Sequence, residues 1–271
     1  MKSGYTLITT LGLMILLSGL VVGMNSLVSG SLRKSGAVRN AANADFAAGS
    51  AFELSKAIVL GNITLSVMDE RRVKFNGAPL ACGYASEFKT ILKIVDVAGL
   101  VDLRFSSDQL LSLMLRGTIT PSVSNALISE IRKNAKSGEF ISSIDVFLAS
   151  GLSRTDAERA AALSTVHGRH SRLARDVTPQ DLARIVGVGG VDGSRVFGSS
   201  PSNKTFKVAA VTEVPGKTSV VSQAVIALEN SGGVRFRRVF ERKVRRRLSG
   251  HEELGAHVRA PSSNTAWCSH L

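Results

Sequence analysis

The sequence predicts an α+β protein: an N-terminal transmembrane and stalk helix leads into a small antiparallel sheet that carries an inserted helical subdomain. Three observations predict it. No Asp, Glu, Lys or Arg occurs between Lys2 and Arg33. At 1.5 Å per residue a helix of that length crosses a ~30 Å hydrocarbon layer with length to spare. From Ser106 to about residue 187 the apolar positions recur at spacings of three and four, and after residue 204 they alternate between short turn-rich breaks.

The first helix is expected from Tyr5 to Leu60. Its uncharged part exceeds the roughly 7–15 apolar residues of an ordinary signal peptide. Val38, Ala42, Phe46, Gly49 and Phe52 continue it along one helical face, and Gly61 is a plausible stop. Residues 62–90 are mixed, with turn signals at Asn76-Gly77-Ala78-Pro79. The β-branched run Ile91–Val95 predicts a strand, Val97-Ala98-Gly99 a turn, and Leu100–Leu103 a further extended segment.

Helices follow at Ser106–Arg116 with Gly117 as stop, from Pro121 through Ile131, at Ser142–Ala149, at Thr155–Ser164, and from Thr178-Pro179 onward. Thr178 is read there as N-cap and Pro179 as the first helical residue. Thr205–Thr212, Thr218–Leu228 and Val234–Phe240 then form three strands joined by Val214–Lys217 and Asn230–Gly233. The chain divides into 1–4 (leader), 5–60 (transmembrane and stalk helix), 61–105 (first part of the head), 106–190 (inserted helical subdomain), 191–240 (strands completing the head) and 241–271 (a basic, flexible tail).

Of 271 residues, 44% are hydrophobic and 20% charged, which fits a folded chain. Aromatics are only 5%, which argues against surfaces built on stacked bases or sugars. The net charge is +13, of which +6 comes from residues 235–271, with nine Lys/Arg against three Glu. Runs of this kind are usually solvated. Cys82 and Cys268 are compatible with one disulfide or with two separate thiols.

Candidate chemistry is sparse. Cys-x-x-Cys, His-Glu-x-x-His, Gly-x-Ser-x-Gly and Walker patterns are absent. His167 and His170 with Asp176 make a poor ligand pattern, since no Cys joins them, and they read as a solvated loop. Asp and Glu are not dense in any EF-hand spacing, so no calcium ligand can be assigned. No nucleophile, base and orienting acid group together, and the expectation is a structural, non-enzymatic protein without a cofactor. Ile185–Ser194 contains Gly187-Val188-Gly189-Gly190, which looks like the hairpin of helix-hairpin-helix modules that hold a DNA phosphate on backbone N–H groups.

Lys2-Ser3-Gly4 followed by Tyr5-Thr6-Leu7-Ile8 resembles the processing site of type IV prepilin-like proteins. A plain membrane anchor is the other reading of these residues. The resemblance implies cleavage after Gly4 by a prepilin peptidase and methylation of Tyr5. The family usually has Glu at the fifth mature position; this chain has Thr9. The family's carboxylate neutralises the amine of a neighbouring subunit, because an unpaired buried amine is costly. A subunit without it suits the end of a filament, and the K-type minor pseudopilin of the type II secretion system is the member that lacks this Glu.

Asp96-Val97-Ala98-Gly99-Leu100-Val101-Asp102-Leu103-Arg104, with Leu110, Leu111 and Leu115 after it, is similar to a K-type stretch in which Asn replaces Arg104. Phe140–Val146 looks like a helix start of that family, and Thr165-Val166-His167-Gly168 sits where the family has a short strand. Asp96 and Asp102 also read as ordinary strand-end turn residues. The resemblance covers about residues 1–240 and rests on the order of the parts.

The resemblance implies a single-pass protein of the bacterial inner membrane with its head in the periplasm. Its partners would be other minor pseudopilins (I and J types), the major pseudopilin and the prepilin peptidase, and no nucleic acid. Filament packing is expected at Thr9, Val38, Ala42 and Phe46. Family members can bind calcium through head carboxylates. Arg33, Lys34 and Arg39 behind the anchor argue for a cytoplasmic head by charge bias, but long domains translocate regardless. Two rivals stand beside this reading: a membrane-anchored DNA-binding protein of DNA uptake and a minor pilin of a type IV pilus.

Overall fold

One helix, α1, runs without a break from Ser3 to Thr64. The structure is a computed structural model that describes residues 3–64, 73–84, 88–119, 122–188, 196–198, 204–214, 218–229 and 235–247. It divides into Met1–Phe46 and Ala47–Leu271. Within the first unit, α1 exposes Leu11, Leu16, Val21, Leu27 and Leu32. This is the helix long and apolar enough to cross a membrane among the described residues.

The second unit begins with the last turns of α1, where Ala47, Ala48, Ala51, Phe52, Ser55, Ile58, Val59 and Asn62 are buried. Their spacing of three and four makes one stripe. Beyond it, Asn62 holds the returning chain: its amide Nδ2 donates to the Val73 carbonyl at 3.1 Å, and its Oδ1 accepts from the Val73 N–H at 2.7 Å.

The stripe packs on a sheet of β1 (Asn76–Tyr84), β2 (Phe88–Asp96), β7 (Thr205–Val214), β8 (Thr218–Glu229) and β9 (Arg235–Arg247), in the order β1-β2-β7-β8-β9. Every neighbouring pair is antiparallel. Alternate residues Leu92 and Ile94, Phe206, Val208 and Ala210, and Ala224 and Ile226 are buried against Ala51, Phe52, Ile58 and Val59, as the two-residue period of a strand requires. Phe75 meets Phe206 edge-on, with ring centroids 5.2 Å apart.

Between β2 and β7 the chain builds a second core. A 3-10 turn (Val97–Gly99) leads into β3 (Val101–Asp102). Helices α2 (Asp108–Thr118), α3 (Asn125–Ser137), α4 (Ser143–Ala149) and α5 (Arg154–Ala162) follow. Next come β4 (Ser164–Thr165), β5 (Leu173–Ala174), a second 3-10 turn (Arg175–Val177), α6 (Gln180–Val188) and β6 (Phe197–Gly198). β3 pairs parallel with β4, and β5 with β6. Ser107, Ser124 and Ser153 cap α2, α3 and α5 by accepting from the N–H three residues on. Leu103, Leu111, Met114, Leu115, Ile131 and Phe147 fill the centre.

The fold class expected from the sequence is the one observed: mixed helix and sheet, a long apolar N-terminal helix and a small antiparallel sheet. Local endings differ. Gly61 does not stop α1, which continues to Thr64, and Gly117 lies inside α2, against Ile185. Thr178 does not cap α6 with its hydroxyl, which donates to the Ala174 carbonyl at 2.8 Å. The Pro179 carbonyl accepts the first helical bond from the Ala183 N–H. The turn-like Asn76–Pro79 forms the start of β1 with a register shift, and Gly77 takes φ 81° there. Pro121, the linkers 215–217 and 230–233, and the glycines Gly189 and Gly190 lie outside the described residues. β9 runs to Arg247, so the first part of the basic cluster belongs to the sheet, where a flexible tail from residue 241 was expected. Cys82 is in β1, and Cys268 lies outside the described residues.

Candidate functional site

The residues expected to serve processing and packing all lie on α1. Gly4, Tyr5 and Thr9 stand in its first turns. Val38 and Phe46 are 70% and 78% exposed, and Ala42 is exposed as well. The expected stripe does not keep one environment: Gly49 is half-buried and Phe52 is buried on the sheet. The part of α1 that joins the sheet's core is Ala51, Phe52, Ile58 and Val59, and the buried alanines Ala44, Ala47 and Ala48 were passed over in the sequence because a small side chain gives a weak apolar signal. Val38, Ala42 and Phe46 therefore form an exposed apolar row.

The second constellation is the strand-turn at Asp96–Arg104. Asp96 is fully buried, and its Oδ1 accepts from the Ala98 N–H at 2.9 Å, fixing the turn. Gly99 permits the next step. A Cβ there would lie 2.2 Å from the Val177 carbonyl oxygen, so only glycine lets the two 3-10 turns meet.

Asp102 is also fully buried. Its Oδ1 accepts from the N–H groups of Arg104 at 2.7 Å and Phe105 at 3.2 Å, and its Oδ2 accepts from the Arg169 N–H at 2.7 Å. One carboxylate thus ties β3 to a loop far along the chain. Gly168 is part of the clasp, because a Cβ there would sit 2.9 Å from Asp102 Oδ2 and 2.4 Å from His170 Nε2. Arg169 accepts the left-handed φ of 55° that aims its N–H at the carboxylate.

Two arginines extend the clasp. Arg104 Nε donates to the Ala135 carbonyl at 2.7 Å, tying the turn to α3. From α3, Arg132 Nη1 donates to the Leu103 carbonyl at 2.6 Å, Nη2 to the Ser106 carbonyl, and Nε to Asp108 Oδ1 at 3.1 Å. A lysine at the position of Arg132 has no planar fork to make such divided contacts.

His167 and His170 are not a solvated loop. His167 Nε2 lies 2.9 Å from the Ile141 carbonyl and His170 Nε2 2.9 Å from that of Val97, while Asp176 is exposed in the second 3-10 turn. The histidines therefore point to different elements, and among the described residues no group of three or more His, Cys, Asp or Glu is placed to hold a metal ion. Burial holds the His167 pKa below its usual value, against the opposing effect of the Ile141 carbonyl.

Sequence reading missed Lys207. It stands in β7 between buried Phe206 and Val208, on the opposite face of the sheet. Its ammonium donates to the Ala161 carbonyl at 2.5 Å, with the Ser164 carbonyl at 3.5 Å, and burial pushes its pKa down to about 8. A lone lysine within an apolar strand was the available signal. Gly187, a candidate for phosphate contact, is exposed within α6.

These polar groups bind backbone to backbone. The arrangement can fix the orientation of the insert on the sheet, and its carboxylates are occupied by N–H donors. Comparison with protein-family models and with curated proteins finds no match for the chain.

Proposed function

We propose that the protein is a minor pseudopilin of the K type, placed at the tip of a type II secretion pseudopilus and assisting protein export across the outer membrane. The observation that carries the reading is α1: one helix of 62 residues whose N-terminal part is apolar and exposed, and whose last turns pack on an antiparallel sheet. Such a helix can stack with sister helices and deliver a folded head to a fibre. The prepilin-like leader ending at Gly4 and the absence of a carboxylate at Thr9 support a position at the end of the fibre. The insert between β2 and β7 accords with the order of parts in that type.

In this reading α1 crosses the bacterial inner membrane once and the head lies in the periplasm. The protein works by assembly, without a catalytic centre. Its partners are the I- and J-type minor pseudopilins and the major pseudopilin. N-terminal sequencing of the chain extracted from membranes tests the reading, with Tyr5 expected as the first residue. A chain that still begins at Met1 beside an active prepilin peptidase would defeat it.

A further inference from the structure

We propose that the exposed face carrying Phe105, Arg169, Arg172 and Arg175 docks an acidic segment of a partner protein. The face belongs to the insert, and nothing in it depends on the role given to α1. Between His167 and Val177 an arginine recurs every third residue, with no lysine and with Asp176 as the only acidic residue. All three arginines are exposed. Among the described residues none of them forms an ion pair, and the guanidinium groups of Arg169 and Arg172 form no hydrogen bond. Asp102 is buried, and both of its oxygens accept from backbone donors. Asp176 follows Arg175 directly, and consecutive residues of a helical turn do not face each other.

Unpaired surface arginines are ordinary when they move freely, but these are held. Arg175 lies over the Phe197 ring, 5.0 Å from its centroid. The stem of Arg172 runs over Gly198, where an added Cβ would meet Arg172 Cβ at 3.4 Å and Cδ at 3.8 Å. Leu173 pairs with Phe197 and Ala174 with Gly198, so the two arginines bracket β5 and lie along the same two-residue strand. Arg169 is fixed through its backbone: its N–H is bound to Asp102 at a left-handed φ of 55°, which a glycine would take without strain. The fold gains no hydrogen bond from that side chain, yet an arginine stands where glycine is the easier residue. A guanidinium that is already positioned loses less freedom when it forms a two-pronged bond to a carboxylate.

Phe105 supplies the apolar part. It is 54% exposed, and the carboxylate that holds the Arg169 N–H also accepts from its own N–H, so the two backbones are adjacent. An exposed aromatic beside arginines is the composition found at the centre of protein interfaces. Nucleic acid fits less well. Phosphate binding grows with the number of contacts along a strand, and three arginines around one short strand give few. The Phe197 ring is packed on the core and covered by Arg175, so it is no platform for a base.

The test follows the fluorescence anisotropy of a short labelled peptide of Glu and Asp around one Leu, added to the full chain in a neutral detergent. A control peptide has Gln and Asn in place of Glu and Asp. Binding is expected for the acidic peptide alone, weakening about fivefold in each of R169G, R172Q and R175Q and about a hundredfold in the triple variant. Phe105→Ala should weaken it about tenfold. The bound peptide should slow hydrogen exchange at 103–105 and 166–175. R169G should unfold at about the same urea concentration as wild type, which separates a lost contact from a damaged fold. No binding of the acidic peptide, equal binding of the control, or binding that persists in the triple variant overturns the proposal. Tighter binding of duplex DNA to the same residues also overturns it, in favour of nucleic acid.

Discussion

The sheet and the insert solve the same packing problem by different means. The sheet and the last turns of α1 bury small residues, Ala47, Ala48, Ala51, Ser55, Ala210, Thr212, Ser222 and Ala224, beside large ones such as Phe52, Leu92, Ile94 and Phe206. Small residues allow close approach but contribute little apolar area each. The insert also packs large side chains, Leu111, Met114, Leu115 and Phe147, but its path is fixed by the buried Asp102 and the half-buried Arg104 and Arg132. Apolar packing holds the first in place through area. The second adds directional bonds, because short helices and two-residue strands do not specify a unique arrangement by area alone.

Asp102→Ala tests that contrast most severely. Three backbone donors, on Arg104, Phe105 and Arg169, would lose their acceptor. An unsatisfied buried donor costs about 1–3 kcal/mol, so we expect a loss of about 3–5 kcal/mol in urea unfolding. Hydrogen exchange should quicken in β3, β4 and the 166–170 loop while β2, β7 and β8 stay protected. Equal loss of protection in the sheet would show that the two cores are one cooperative unit.

Lys207 sharpens the comparison, since it joins the two. Below pH 8 both the folded and the unfolded chain hold its proton. Between about 8 and 10.5 only the unfolded chain does, so stability rises with pH across that window. The advantage of wild type over Lys207→Met should grow by at most about 3 kcal/mol between pH 7 and 10.5. A gap that stays constant with pH would mean that the ammonium is not enclosed between sheet and insert.

Phe46 is the smallest probe of the folded unit and the most specific probe of assembly. With 78% of its surface exposed, Phe46→Asp should change unfolding stability by less than about 0.5 kcal/mol. On the proposed reading, its association with minor pseudopilins should weaken by about 1–3 kcal/mol, measured by co-purification at falling protein concentration. Unchanged association, together with long filaments of this protein alone, would remove the tip assignment.

Much of the fold was legible because long periodic signals are strong. The apolar start of α1, the helices of the insert and the β7–β8–β9 meander each announce themselves over ten residues or more. What stayed hidden depends on distance in sequence. Nothing local marks Asp102 as the partner of Arg169, or Lys207 as the partner of Ala161, since backbone carbonyls and N–H groups carry no residue identity. Gly117 and Gly61 were misplaced as stops because a glycine beside a helix end and a glycine admitting a neighbour look alike in sequence. Gly99 and Gly168 in turn owe their role to backbone and side chains that only the folded chain brings near.

The insert leaves and rejoins the sheet at facing residues, since Asp96 of β2 pairs with Phe206 of β7. This makes the order of folding matter. Pairing β2 with β7 from an unfolded chain means closing a loop from residue 97 to residue 205, and the entropy cost rises with the logarithm of its length. If the helices of the insert form first, as local contacts do, the same pairing closes a loop whose ends are already near each other. The insert is then more than cargo on the sheet: it shortens the search by which the sheet's two halves meet, and a mutation that slows its collapse would delay strand pairing in a region it never touches.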